Sequence, residues 1–206
     1  MEGASVFNPL DKKNLGKSIV EALIESVEQP LSSVNIFEGA GIYAVYYRGD
    51  FKLYKELATL NKKAGCYPIY VGKAIPKGGR KGVDTGASLD SDALFKRLQD
   101  HRKSIESTQS LKIEDFSFRC LILDDIWISL GESLVIQKYQ PLWNQVLDGF
   151  GNHDPGSGRY GGMRPLWDEI HPGRAWATKC KPPKSNAAEL LESISAYMKS
   201  TLHAER

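Results

Sequence analysis

Two short apolar runs, residues 41–47 (Gly-Ile-Tyr-Ala-Val-Tyr-Tyr) and 67–72 (Tyr-Pro-Ile-Tyr-Val-Gly), constrain this chain more than any other stretch. Each is rich in Val, Ile and Tyr and bounded by glycine, the composition of a strand. Alternation in the first run puts Tyr43, Val45 and Tyr47 on one face and Ile42, Ala44 and Tyr46 on the other. If the two runs pair, Tyr43 and Tyr70 can present their hydroxyls to one place. A phenol ring packs in a core while its oxygen reaches a polar partner, so such a tyrosine can be core and reagent together. Strand propensity alone also accounts for each tyrosine, and residues further along the chain decide between the two readings.

The 206 residues, 41% hydrophobic and 25% charged, suit a soluble globular protein of one domain, with or without appendages. A net charge of +2 is only mildly basic, so any nucleic-acid reading must rest on local clusters. Cys66, Cys120 and Cys180 are far apart and lack metal-ligand spacing, which fits buried thiols in a reducing compartment. No apolar run is long enough to cross a bilayer, and residues 1–10 lack the charged-then-apolar layout of a signal peptide. The expected location is cytoplasmic, without a membrane partner.

Residues 18–28 carry Ile19, Ala22, Leu23 and Val27 at helical spacing before Pro30, and residues 50–63 place Leu53, Leu57 and Leu60 on a second helical stripe. The connection between the two opening strands is therefore not a tight turn. Residues 73–86 then turn basic and glycine-rich, with Lys73, Lys77, Arg80 and Lys81 preceding the first acid, Asp84. Such a loop is either a solvated surface or a phosphate-contacting flap, and its neighbours decide which. A helix from Asp90 or Ser91 to about Ser107 buries Leu94, Leu98 and Ile105, with Arg97 and His101 side by side at the edge of that stripe. Residues 116–124 read as a third strand and 126–140 as a helix ended by Pro141. Within that helix Glu132 lies in line with Val135, Ile136 and Tyr139, a carboxylate on an apolar face. An ionised group is costly there unless paired, so Glu132 either meets an Arg or Lys from elsewhere or binds a cation.

Residues 150–177 are rich in Gly, Pro, Trp, Arg and His, too aromatic for a disordered tail and too rich in glycine for regular structure. An ordered arm with basic tips able to enter a DNA groove is expected, the alternative being a loop wrapped over the core; His153 and His171 are loop histidines that could join the arm's DNA contacts. Asn186, with Glu189 three residues on, caps a last helix whose Leu190, Ile194, Tyr197 and Met198 dock on the body or on a second subunit.

In order, Gly41-Ile42-Tyr43, Tyr70-Val71-Gly72-Lys73, Arg97, Glu132 within Leu130–Gln137, and Pro141-Leu142-Trp143-Asn144 resemble the GIY-YIG nuclease family over roughly residues 39–145. Two departures are a helix inserted between the strand motifs, where the family has a short link, and Tyr-Val-Gly as the second motif. The resemblance implies a mixed α+β fold, with a small, mainly antiparallel central sheet flanked by helices. The expected organisation is an N-terminal helical extension (1–38), a catalytic core (39–145) with a helical insertion at 50–65, and a DNA-contacting arm plus helix (146–206). Within the family the insertion, the Arg97 and His101 pair and the arm are most similar to the small type II restriction endonucleases, homodimers that cut double-stranded DNA at GC-rich palindromes. That likeness implies a cognate DNA methyltransferase in the same cell. It also implies Tyr43, Tyr70, Arg97, His101, Glu132 and Asn144 as catalytic residues, with Glu132 as the ligand of Mg²⁺, for which Mn²⁺ can substitute.

The residue chemistry suits hydrolysis of a phosphodiester, which needs a positioned water, a base, a cation over the phosphate and help for the leaving oxygen. One carboxylate suits one Mg²⁺ that keeps most of its waters. Tyr43 is the candidate base: with an ordinary pKa near 10, forming its phenolate near pH 7 costs roughly 4 kcal/mol unless cations help or His101 takes the proton. Arg97 has the fork for the scissile phosphate or the attacking water. Tyr70 and Asn144 would orient water and phosphate, while Lys73 is a second proton acceptor or a phosphate contact. Lys73, Lys77, Arg80 and Lys81 are candidate backbone contacts, and Arg159, Arg164 and Arg174 candidate guanine readers. A non-catalytic DNA-binding module and a nuclease for branched or damaged DNA in repair or recombination remain as alternatives.

Overall fold

The computed structural model describes residues 8, 11–63, 65, 67–76, 89–184 and 187–203. Cys66, Lys77, Arg80, Lys81 and the expected cap Asn186 lie outside the described residues. The fold is mixed α+β: a four-stranded antiparallel sheet in the order β1-β4-β2-β3, with helices on both faces. Its strands are β1 (Gln29–Pro30), β2 (Gly41–Tyr47), β3 (Tyr70–Ala74) and β4 (Phe116–Ile122).

All seven residues of β2 are buried, because helices cover both faces of the sheet. Tyr43, Val45 and Tyr47 join a core with Leu94, Leu98 and Ile105 of α3 (Ala93–Glu106). Ile42, Ala44 and Tyr46 join a second core with Leu23 of α1 (Lys12–Glu25) and with Ile128 and Val135 of α4 (Asp125–Tyr139). The alternation in the sequence thus divides the strand between two apolar layers rather than between core and water.

The inserted helix α2 (Lys55–Lys63) does not disturb the pairing of β2 with β3, which runs from Gly41 opposite Ala74 to Val45 opposite Tyr70. Buried Asn61 explains why. Its amide donates to the carbonyls of Tyr47 and Tyr67, and its oxygen accepts from the Tyr67 N–H at 2.9 Å, tying the two strand ends together.

The first helix ends at Glu25, three residues short of the span expected from its apolar spacing, and Val27 stands 76% exposed. Arg119 of β4 donates to the carbonyls of Ile24 and Ser26, satisfying oxygens that a continuing helix would have needed, and the chain then enters β1. The N-terminal segment therefore contributes a strand as well as a helix.

Trp143, in α5 (Leu142–Gln145), links the core to the arm. Its ring meets Tyr54, Phe116, Phe150, Trp167 and His171. After α6 (Leu166–Ile170), the last helix, α7 (Ala187–His203), buries Leu190, Ile194 and Met198 against this body and contacts α2.

Candidate active site

Because β3 is an edge strand, side chains from both faces of the sheet can gather around it. Tyr43 lies opposite Gly72, and Tyr70 opposite Val45, so the two phenols share the α3 face with ring centroids 6.2 Å apart. Gly72 makes this possible. A β-carbon there would meet the Tyr43 hydroxyl at 2.3 Å, so the missing side chain lets the Tyr43 ring lie across its neighbour strand.

Tyr43 and His101, both buried, are joined by a hydrogen bond of 2.6 Å between the phenol oxygen and Nε2. Burial pushes the Tyr43 phenol well above its usual range, an effect that Tyr70 reinforces and the Arg97 cation opposes. Burial also pushes His101 well below the usual imidazole range, with Arg97, His153 and Arg174 acting in the same direction. Both shifts favour the neutral pair, with the phenol donating to the unprotonated imidazole nitrogen. Tyr70, whose phenol is likewise raised by burial, packs edge-on to His101 at 5.2 Å.

Arg97 reaches the same place from α3. Its Nη2 donates to the Gly151 carbonyl at 2.7 Å, and Nη1 contacts His153 Nε2. Burial, with the Arg97 charge alongside, lowers the His153 pKa and suits it to accept that contact in neutral form. Gly151 is as constrained as Gly72, since a β-carbon there would lie 2.5 Å from the Tyr70 hydroxyl and 3.0 Å from Arg97 Nη2. Phe150 lies flat on His101, ring centroids 4.5 Å apart and planes 16° from parallel. Phe150, Gly151 and His153 close over the site, a role that no spacing in the sequence announces. The closest signal is one aromatic between two glycines directly after the Asn144 motif.

The other half of the site faces α4. Lys73 lies opposite Ile42 and so leaves β3 on the α4 side, where its ammonium meets Glu132 at 2.7 Å. The basic partner of this carboxylate is thus the lysine of the second strand motif. Glu132 is close enough to Tyr70 to act on its phenol electrostatically, so the halves communicate around the strand edge. Among the described residues no group of three or more His, Cys, Asp and Glu side chains is arranged to hold a metal. A lone, partly exposed carboxylate fits a hard cation that keeps most of its waters and takes its remaining ligands from substrate.

Asn144 directs both ends of its carboxamide to one residue. Its oxygen accepts from the Val71 N–H and its amide donates to the Val71 carbonyl, each at 2.8 Å. It thereby occupies the open edge of β3 as a further strand would, and its hold on the site passes through that strand.

The three arm arginines separate. Arg174 is 5% exposed and donates to Asp168 and to the carbonyls of Gly149, Phe150 and Asn152, so its donors are turned inward, away from the DNA contact expected of it. Arg164 is half-buried, paired with Glu169 at 2.8 Å and bonded to the Ala177 carbonyl at 3.1 Å, which likewise removes it as a free reader. Arg159 is exposed, on a tip where Asp154 accepts from the Gly156 N–H and the Tyr160 hydroxyl. His171 is a core residue, its Nε2 on the Tyr54 hydroxyl at 2.5 Å and its Nδ1 on the Ser110 hydroxyl at 2.8 Å.

No curated protein matches the chain. A family model described as the Eco29kI GIY-YIG domain, a type II restriction endonuclease family, matches residues 35–198. That span takes in both strand motifs, the Tyr43–His101 pair, Arg97, the Lys73–Glu132 pair, Asn144 and the arm that closes over them, and the chain belongs to the Eco29kI family of GIY-YIG nucleases.

Proposed function

We propose that the chain is a site-specific type II restriction endonuclease that hydrolyses double-stranded DNA at a GC-rich palindrome with one divalent cation, Mg²⁺ or in its place Mn²⁺. The observation that carries this reading is the 2.6 Å bond between Tyr43 and His101, set beside Arg97 and across the strand edge from Glu132. Tyr43 takes the proton of the attacking water as its own passes to His101 Nε2. A concerted relay suits the buried pair, because no isolated phenolate has to form in a dry site before the reaction begins.

Arg97 stabilises charge on the phosphate and on the Tyr43 oxygen, exchanging His153 for a substrate oxygen while its Nη2 stays on the Gly151 carbonyl. Tyr70 orients the water, and Asn144 keeps β3 in place beneath it. Glu132 would hold the cation, which would supply Lewis-acid stabilisation of the phosphate and of the leaving oxygen. Lys73 would contact the DNA backbone, its ammonium passing from Glu132 to a phosphate oxygen. Starting from the α4 face, it is better placed for a phosphate than for the Tyr43 proton. Arg159 is the arm arginine left free to read a guanine edge.

Two-fold recognition implies a homodimer on DNA. The copies would meet through the N-terminal helix α1 or the inserted helix α2; α2 turns Lys55, Glu56, Lys62 and Lys63 outward and meets α7, which favours α1. Such an enzyme implies a partner methyltransferase that protects the host's own sites. The direct test is a plasmid digest with Mg²⁺ and again with EDTA, and then sequencing of the ends. Discrete, palindromic, metal-dependent ends support the reading; binding without cleavage would make the chain a non-catalytic module. Cutting confined to branched DNA would replace the substrate.

A further inference from the structure

We propose that Arg174, buried against Asp168, is a positioning residue for the reaction: it shapes the loop 149–152 so that Phe150 holds the His101 ring and Gly151 holds Arg97. This rests on the reading of Tyr43 and His101 as the proton path. All five N–H donors of the Arg174 guanidinium have partners. Nε and Nη2 grip the two oxygens of Asp168, Nη1 donates to the carbonyls of Phe150 at 3.1 Å and Asn152 at 2.9 Å, and Nη2 also donates to that of Gly149 at 2.9 Å. The indoles of Trp167 and Trp176 each lie 4.8 Å from the guanidinium carbon.

Three carbonyls of one short loop are thus drawn to a single cation. The fourth, that of Gly151, is the one left to accept from Arg97. The same curl of backbone lays the Phe150 ring on the His101 imidazole. A lysine in place of Arg174 has three donors and no planar fork, so it cannot hold the carboxylate and three carbonyls at once. The charge stays, while the loop loses its template.

Arg174→Lys and Phe150→Leu test this, the second leaving the clamp intact and removing only the ring on His101. In the free protein, ¹⁵N spectra of the imidazoles, with His101 assigned by its loss in His101→Gln, should show a displaced His101 signal in both variants. At saturating enzyme Arg174→Lys should cut about 100-fold more slowly, the scale of a misplaced reacting group, and Phe150→Leu about 10-fold. DNA affinity in EDTA should stay within about 3-fold of the wild type, because the effect falls on rate rather than on binding. The acid limb of the rate should move to higher pH in both variants, since water reaching His101 brings its protonation back towards pH 6.5.

A folded Arg174→Lys with an unmoved His101 signal, rate and acid limb would overturn the proposal. Should that variant fail to fold, an unmoved signal and acid limb in Phe150→Leu would do so. If the wild-type protein cuts no DNA at all, the nuclease reading fails by itself, and the imidazole spectra still decide whether Arg174 positions His101.

Discussion

The two sides of β3 solve opposite problems. Towards α3 lie two phenols, an imidazole and a phenylalanine ring, with Tyr43 and His101 fully buried and both kept neutral. Towards α4 lie one ammonium and one carboxylate, 33% and 19% exposed, that neutralise each other directly. A dry environment magnifies electrostatic effects and makes separated charge costly, which suits a proton moved in one step between neutral groups. A partly exposed ion pair is worth about 1 kcal/mol or less, so it can part when a cation and a phosphate arrive. On the proposed mechanism one strand edge divides proton handling from charge handling, and each side can be broken separately.

Breaking the ionic side should have the largest effect. Glu132→Ala removes the carboxylate offered to the cation, and loss of several kcal/mol of transition-state stabilisation corresponds to a fall of about 10³-fold or more in cleavage, with specific binding kept. Retained cutting measured under single-turnover conditions would take Glu132 out of the metal site. On the dry side, Tyr43→Phe should lower the single-turnover rate by about 10²- to 10⁴-fold at near-normal affinity. An unchanged rate would reassign the base.

Lys73→Met sharpens the contrast. If Lys73 serves the phosphate, the variant should weaken DNA binding and flatten its salt dependence while the acid limb of cleavage stays in place. A shifted limb would make Lys73 a proton acceptor instead. Arg159→Ala should remove about 1–3 kcal/mol of discrimination between cognate and altered sites, read as a ratio of cleavage rates.

The last effect falls on stability and not on cleavage. Burial lowers the His171 pKa from 6.5 to about 3, so the folded protein binds this proton less readily than the unfolded chain. Its contribution is fully present above pH 6.5 and declines as pH falls towards 3, by at most about 1.4 kcal/mol per pH unit. Denaturant titrations of His171→Gln between about pH 7 and 4 should show a shallower loss than the wild type.

Much of the core site was legible in the chain because its residues sit at fixed positions on regular elements. Tyr43 and Tyr70 share a face through the two-residue period of a strand, and Arg97 and His101 project together through the four-residue spacing of a helix. Glu132 stood out as a charge on an apolar stripe, although its partner Lys73 could not be read from that helix alone. The arm was the weak point. Three arginines of equal standing in the sequence became a buried clamp, a half-buried salt bridge and an exposed tip. Irregular backbone has no period, so nothing in local spacing says which carbonyls will turn inward.

The sequence by itself determined the three longer strands, the principal helices and the order of the chemical groups along them, because periodicity and propensity act over a few residues and need no distant partner. Only the tertiary structure decided that His101 would lie dry beneath Phe150, that Asn144 would hold the edge of β3, and that Arg174 would face inward. Each of those outcomes depends on burial and on contacts between residues remote in the chain, and these exist only once the layers have closed.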